Sequence, residues 1–314
     1  MRIDVHAHLV PPGLPAFGSA GDDRWPTLEV DGDRGRILAG GRVYREVDEQ
    51  YWSVERRLAT VEAWGLDVQV LSPLPVLLPS WAAGDEAAAW CRAVNEGMAE
   101  AVAAGGPRFR GLGILPVQDH DAAVAELAHV RALGLVGIEL GTAVDQARTI
   151  GDPSLDPLLA HLAVEDVPVL VHPVRRGLLG ALAGVLDPAV GLTTDTTLAL
   201  LPRLWPPRLD AHPRSCVVHG GGTVPWVWPR TRILGGRPDE PLPPWFHADT
   251  AALDEHQVAH LLASLGVDRL LFGTDCPAAP GPAVEAQLAA LGSMGEAGAA
   301  VLGGNATRFL ALPA

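Results

Sequence analysis

The chain has 314 residues, 48% of them hydrophobic and 19% charged, which is enough apolar content for a large buried core. A net charge of -14 and a pI of about 5.1 argue against nucleic-acid or anionic-membrane partners. No apolar run reaches the ~18 residues of a membrane span, and Cys91, Cys216 and Cys276 are too scattered for a disulfide framework or a thiolate zinc motif.

Short apolar runs alternate with amphipathic segments along the chain. Arg2–Val5 reads as a first strand, Val54–Trp64 as a helix and Val68–Leu71 as a strand. Helix is expected over Glu86–Ala104, strand over Phe109–Leu115, helix over Ala122–Leu133 and strand over Val136–Leu140. Leu155–Val164 reads as helix, Pro168–Val171 as strand, Asp195–Leu204 as helix and Cys216–Val218 as strand. Helix around Trp226–Ile233, a weak strand at Phe246–Ala248, helix over Glu255–Leu265 and a last strand at Arg269–Phe272 follow. Helices at Ala283–Leu291 and Asn305–Leu312 close the chain.

These are about eight strand–helix units at regular spacing, which favours one (β/α)8 TIM barrel over residues 1–314. A doubly wound sheet would more often carry a Gly-rich turn after its first strand, and none is present. Residues 11–50 interrupt the rhythm and are too long for a plain loop. Within them Leu28–Val30, Arg36–Leu38 and Val43–Val47, separated by Asp31-Gly32-Asp33 and Gly40-Gly41, predict a small β insertion over the barrel mouth. A second irregular stretch, Arg175–Leu192, follows the fifth barrel strand.

In a barrel, groups at the C-terminal ends of strands converge on the active site. His6 and His8 stand i, i+2 on the first strand, so they project to one face, with Asp4 on the same side. The fifth strand ends at His172, the sixth at His219 and the eighth at Asp275. A lone His or Asp after a strand is ordinarily a cap; four such placements together point to a metal site, for which imidazole suits zinc and other borderline cations. All 23 basic residues are Arg, because the sequence contains no Lys. That excludes Schiff-base chemistry and a carboxylated lysine bridge, so a single ion is expected. His120, His129, His161, His256 and His260 fall in helices or at their starts, His212 in a loop and His247 on the seventh strand, where packing is the favoured role. Cys276 reads as a small buried thiol. With His6 and His8 so near the start, no secretory leader is expected, and the setting reads as a reducing cytoplasm.

The motifs D-x-H-x-H, V-H-P, V-H-G-G-G and G-T-D-x-P resemble the amidohydrolase superfamily. Within it they are similar to the branch of α-amino-β-carboxymuconate-ε-semialdehyde decarboxylase and related metal-dependent decarboxylases. Gly32–Ile37, Val43-Tyr44-Arg45, Trp52, Gly65–Ser72 and Gly304-Asn305-Ala306 match the same pattern. The resemblance implies Zn2+ held by His6, His8, His172 and Asp275, with Mn2+, Co2+ and Fe2+ as alternatives, and His219 beside the metal-bound water as general acid/base. Asp275 could also bridge the metal and His219. It further implies Arg45 as a carboxylate-binding group and Arg230 as an arginine supplied in trans within a homodimer.

The chain departs from that pattern after His172-Pro173, where Val174 and Arg175 replace Trp-Asp. It departs again over Leu186–Gly191 and at Cys276-Pro277-Ala278-Ala279, where substrate-packing aromatics are replaced. The function expected is an oxygen-independent decarboxylase of a small aromatic or unsaturated carboxylic acid. The alternative is hydrolysis of an amide, lactone or imine by the same metal centre.

Overall fold

The computed structural model describes residues 1–11, 13, 14, 17, 22–82, 84–174, 186–205 and 212–313. Arg175 and the first part of the Arg175–Leu192 stretch lie outside them. The strands in chain order are β1 (Ile3–Leu9), β2 (Thr27–Asp31), β3 (Arg34–Ala39), β4 (Arg42–Asp48), β5 (Val68–Pro73), β6 (Phe109–Gly113), β7 (Gly137–Gly141), β8 (Val169–His172), β9 (Ser215–Val217), β10 (Phe246–Asp249) and β11 (Leu270–Leu271).

Eight of them form one parallel sheet in the order β1-β5-β6-β7-β8-β9-β10-β11. The two edges meet beyond β11: Val5 N donates to Phe272 O at 2.9 Å, Asp275 N to His6 O at 2.8 Å and His8 N to Cys276 O at 2.7 Å. These bonds close the sheet into a barrel, as the alternation of apolar runs predicts. They also tie the strand that carries His6 and His8 to the segment that carries Asp275.

Alternation along the strands sorts the core into two layers. Ile3, Val5, Val68, Val70, Leu112, Leu170, Cys216, Val218 and Leu271 pack together with Ala306, Phe309 and Leu310. A second, larger cluster joins the opposite faces, such as Ala7, Leu71, Ile138, Val169 and Val171, to helical residues such as Trp90, Val94, Leu127 and Leu159. The helices start where the chain supplies caps: Ser53 Oγ accepts from Arg56 N, and Asp254 with Gln257 completes a reciprocal capping box.

The insertion is a three-stranded antiparallel sheet, β2-β3-β4. Several ends differ from expectation: β1 runs on to Leu9 rather than stopping at Val5, and β6 stops at Gly113 rather than Leu115. The last strand is only Leu270–Leu271, because Val267–Arg269 is a 3-10 turn whose Arg269 donates to the carbonyls of Leu265, Leu242 and Pro243. The final helix stops at Phe309 rather than Leu312, where Ala311 turns to a φ of 52°.

Candidate metal centre

His6 and His8 are buried at the end of β1, and their Nε2 atoms lie 3.1 Å apart. His172 ends β8, with its ring centroid 5.3 Å from that of His6 and 4.8 Å from that of His8. Asp275 places Oδ1 3.5 Å from His6 Nε2 and 3.4 Å from His8 Nε2. Ligand atoms of His6, His8, His172 and Asp275 all lie within 4.8 Å of one another.

The donor set fits a cation. His172 sets Nδ1 2.9 Å from Pro173 O, and its buried Nε2 has no partner among the described residues. A buried imidazole lone pair without a donor is costly, and a metal ion would satisfy it. Each of the other two histidines also has its Nδ1 engaged from behind. Asp249 Oδ2 lies 2.6 Å from His6 Nδ1, and Ser72 Oγ lies 3.0 Å from His8 Nδ1. Outer partners of this kind fix the ring and turn Nε2 toward the metal.

Electrostatics separate the three imidazoles. Burial pulls His8 down to about 4, aided by the neighbouring His6, and pulls His172 well below its ordinary value. Burial acts the same way on His6, but the Asp249 carboxylate outweighs it and raises His6 to about 9. Two ligands are thus neutral, while a divalent cation must displace a proton from the third. Burial pushes Asp275 up, yet the His219 and His8 imidazoles beside its carboxylate hold it well below the usual carboxylate range.

His219 stands on the other side of Asp275, with Nε2 3.6 Å from Oδ2. One carboxylate therefore faces the ligand cluster with one oxygen and His219 with the other. The backbone is contorted to allow this: His219 has φ 54° and ψ 49°, Asp275 has φ 59°, and Gly220, Gly221 and Gly222 continue in positive φ. Such conformations in non-glycine residues store strain that persists where a site requires it. Asp249 anchors the turn by accepting from Gly220 N at 3.2 Å. Gly273 is required beside it, since a Cβ there would stand 2.9 Å from His6 Cβ and 3.0 Å from Asp249 Cβ.

A cleft of about 1210 Å³ opens on this cluster, with His8, His172, His219, Asp275, Arg45 and Tyr51 in its walls. Arg45, on β4, donates to Tyr51 Oη at 3.1 Å and forms no ion pair within 4.0 Å among the described residues. Arg230 is exposed on the helix Val224–Leu234 and does not line the cleft of its own chain. His247 packs edge-on against Phe309, in the interior cluster, and Cys276 is a buried free thiol pushed up to about 11 by burial.

Sequence reasoning missed four groups. Asp249 is a strand-end acid like Asp275 and follows the same rule, on the weakest strand. Ser72 and Tyr51 carry no chemical signature outside the fold. Glu139, fully buried on β7, was signalled by a charge inside the apolar run Val136–Leu140; burial raises it to about 8.

A closed parallel barrel with histidine and aspartate ligands at its strand ends defines a single-metal barrel enzyme architecture. The chain belongs to the amidohydrolase family, whose profile matches residues 3–312. It is 29% identical over 336 residues to the 2-amino-3-carboxymuconate-6-semialdehyde decarboxylase of Dictyostelium discoideum, covering 99% of this chain and 92% of that one. It is 27% identical over 274 residues to the gamma-resorcylate decarboxylase of Rhizobium radiobacter, covering 76% of this chain and 81% of that one. Its fold matches a dihydroxybenzoic acid decarboxylase of Polaromonas sp. JS666, solved with manganese and 2-nitroresorcinol. That match has a TM-score of 0.74 and 20% identity, and covers 99% of this chain and 97% of that one.

Proposed function

We propose that this chain is a divalent-metal-dependent, oxygen-independent decarboxylase of a small aromatic or unsaturated carboxylic acid. The observation that carries this reading is the pairing, in one cleft, of His219 on the far oxygen of Asp275 with an arginine that has no carboxylate partner among the described residues, Arg45. A guanidinium held by Tyr51 is a ready fork for a substrate carboxylate. His6, His8, His172 and Asp275 would hold the ion, which supplies Lewis-acid polarisation of the substrate. His219 gives a proton to the carbon as the bond to the carboxylate breaks. The bonding pair passes to the new C–H bond and CO2 leaves, so one carboxylate and one proton become R–H and CO2. Asp275 Oδ2 orients the His219 ring for this transfer.

Zinc is the metal we assign, because three imidazoles and one carboxylate are an ordinary zinc set. We place the enzyme in a reducing cytoplasm, a reading supported by three buried free cysteines. We further propose a homodimer in which Arg230 reaches the partner's cleft. Trp226, Arg230, Ile233 and Leu234 stand at i, i+4, i+7 and i+8 on one helix face, and the three apolar side chains are 74%, 63% and 72% exposed. A face of that character calls for a covering surface, and a second copy would also bring Arg230 to a carboxylate.

The test is CO2 release by enzyme loaded separately with Zn2+ or Mn2+, over a panel of hydroxybenzoates, unsaturated dicarboxylates, amides and lactones, run in parallel in D2O and in H2-18O. Release with solvent hydrogen gained at carbon, abolished by Arg45→Ala and not restored by Arg45→Lys, is expected. Incorporation of 18O into an amide- or lactone-derived product, without CO2, would establish a hydrolase instead.

A further inference from the structure

Arg57 is 0% exposed, yet no carboxylate lies within 4.0 Å of it among the described residues. A buried charge without an ion pair is expensive, so its hydrogen bonds show what the fold gains. Nη2 donates to Gln50 O at 2.5 Å and to His8 O at 2.7 Å. Nη1 donates to Cys276 O at 3.3 Å and Gln69 Oε1 at 3.4 Å. Gln69 in turn donates through Nε2 to Asp4 Oδ2 at 2.8 Å, and Asp4 also accepts from Thr274 Oγ1 at 2.7 Å and Thr274 N at 3.0 Å. The guanidinium is thereby linked to the buried Asp4 carboxyl group through one amide.

The carbonyls that Arg57 gathers come from three separate segments. His8 is a metal-ligand candidate, Cys276 follows Asp275, and Gln50 precedes Tyr51, the residue that holds Arg45. We infer that Arg57 is a positioning residue that fixes the carboxylate-binding end of the insertion relative to the metal ligands. It touches neither the ligand atoms nor the cleft. A planar fork can hold three carbonyls in one plane; an ammonium is a point donor on a flexible stem and cannot. A purely structural buried polar group would stabilise the fold without setting this distance.

The inference rests on Arg45 binding a carboxylate, and the experiment separates the two. Full-length Arg57→Lys is loaded with Mn2+ and its affinity for the ion is measured by calorimetry, then its affinity for 2,6-dihydroxybenzoate. We expect Mn2+ affinity to fall at least tenfold, and benzoate affinity of the metal-saturated protein to fall about fivefold or more. In an Arg45→Ala background the second effect should vanish, because the two residues act on one path. Tyr51→Phe should weaken benzoate binding and leave Mn2+ affinity unchanged. If Arg57→Lys does not fold, Gln69→Met, which removes the bridge to Asp4, is expected to lower Mn2+ affinity in the same direction. A lowered Tm with Mn2+ affinity unchanged within twofold, or benzoate losses that simply add in the Arg45→Ala background, would overturn the inference. Failure of benzoate to bind the parent protein at all would instead refute the carboxylate reading, and the Mn2+ measurement would still stand.

Discussion

Replacing Asp249 by Asn should change how metal affinity depends on pH, not only its size. The Asp249 carboxylate, 2.6 Å from His6 Nδ1, has two opposed effects. It makes the imidazole a better ligand, worth about 10–100-fold in metal affinity for outer carboxylates of this kind. Against burial, which lowers the His6 pKa, it also raises that pKa to about 9, so a proton competes for the ring. Two pH units below 9, that competition costs the parent protein about 100-fold in apparent affinity at pH 7.

Without the carboxylate, burial returns His6 toward its ordinary 6.5 or below, and the competition above neutral pH disappears. The parent should therefore gain roughly tenfold in Mn2+ affinity per pH unit from 6.5 to 9 and release about one proton per ion. The affinity of the Asp249→Asn variant should be nearly flat over that range. The two curves converge near neutral pH and separate to about 10–100-fold by pH 9.5. Calorimetry in buffers of different ionisation enthalpy reads both the affinity and the proton count. Parallel curves, or equal proton release in the two proteins, would sink this account of His6.

Other expectations follow from the same geometry. His219→Asn, a substitution by a residue type that tolerates the φ of 54°, should keep the fold and Mn2+ affinity while turnover falls about 100-fold or more. Glu139→Gln in metal-free protein should raise thermal stability at pH 9 but not at pH 4. The buried carboxyl, shifted from 4.5 to about 8, binds its proton more tightly folded than unfolded, so its contribution is lost as pH rises through that interval. Melting curves at both pH values read this directly, and an equal change at the two would refute it. Trp226→Glu should shift sedimentation from dimer to monomer. Mixed Arg230→Ala and His219→Asn subunits should recover about one quarter of parental turnover, from one complete site in half of the dimers; no recovery would rule out action in trans.

The barrel is legible in the sequence because each parallel strand is buried on both faces and reads as a short apolar run between helical segments. The ligands are legible because a polar group at the end of such a run has few other reasons to be there. Depth along the barrel was not legible. His247 and Asp249 share a face of β10, but Asp249 lies level with His6 whereas His247 packs against Phe309. Only the closed barrel distinguishes these levels. Arg57 was equally hidden, since on a helix of mean polar character it reads as one more surface charge, next to the exposed Arg56.

The loops after His172 and Asp275 lack the aromatic residues of the resembling decarboxylases, and sequence alone offers nothing to pack the substrate in their place. The cleft is nevertheless lined by Tyr44 from the insertion, by Tyr51 just after it and by Trp81 from the loop after β5. Trp81 is braced against Trp25, with ring centroids 4.5 Å apart, and Arg24 lies 5.6 Å over its face. Two of these rings flank Arg45: Tyr44 lies 5.8 Å under its guanidinium, and Tyr51 accepts its hydrogen bond. A flat acid bound in this cleft would meet these rings with its body. Specificity should then respond to substitutions at Tyr44 and Trp81 more than to changes at Val174 or Ala278. The reason is that planar rings give offset stacking with a substrate ring, and small aliphatic side chains give only contact area.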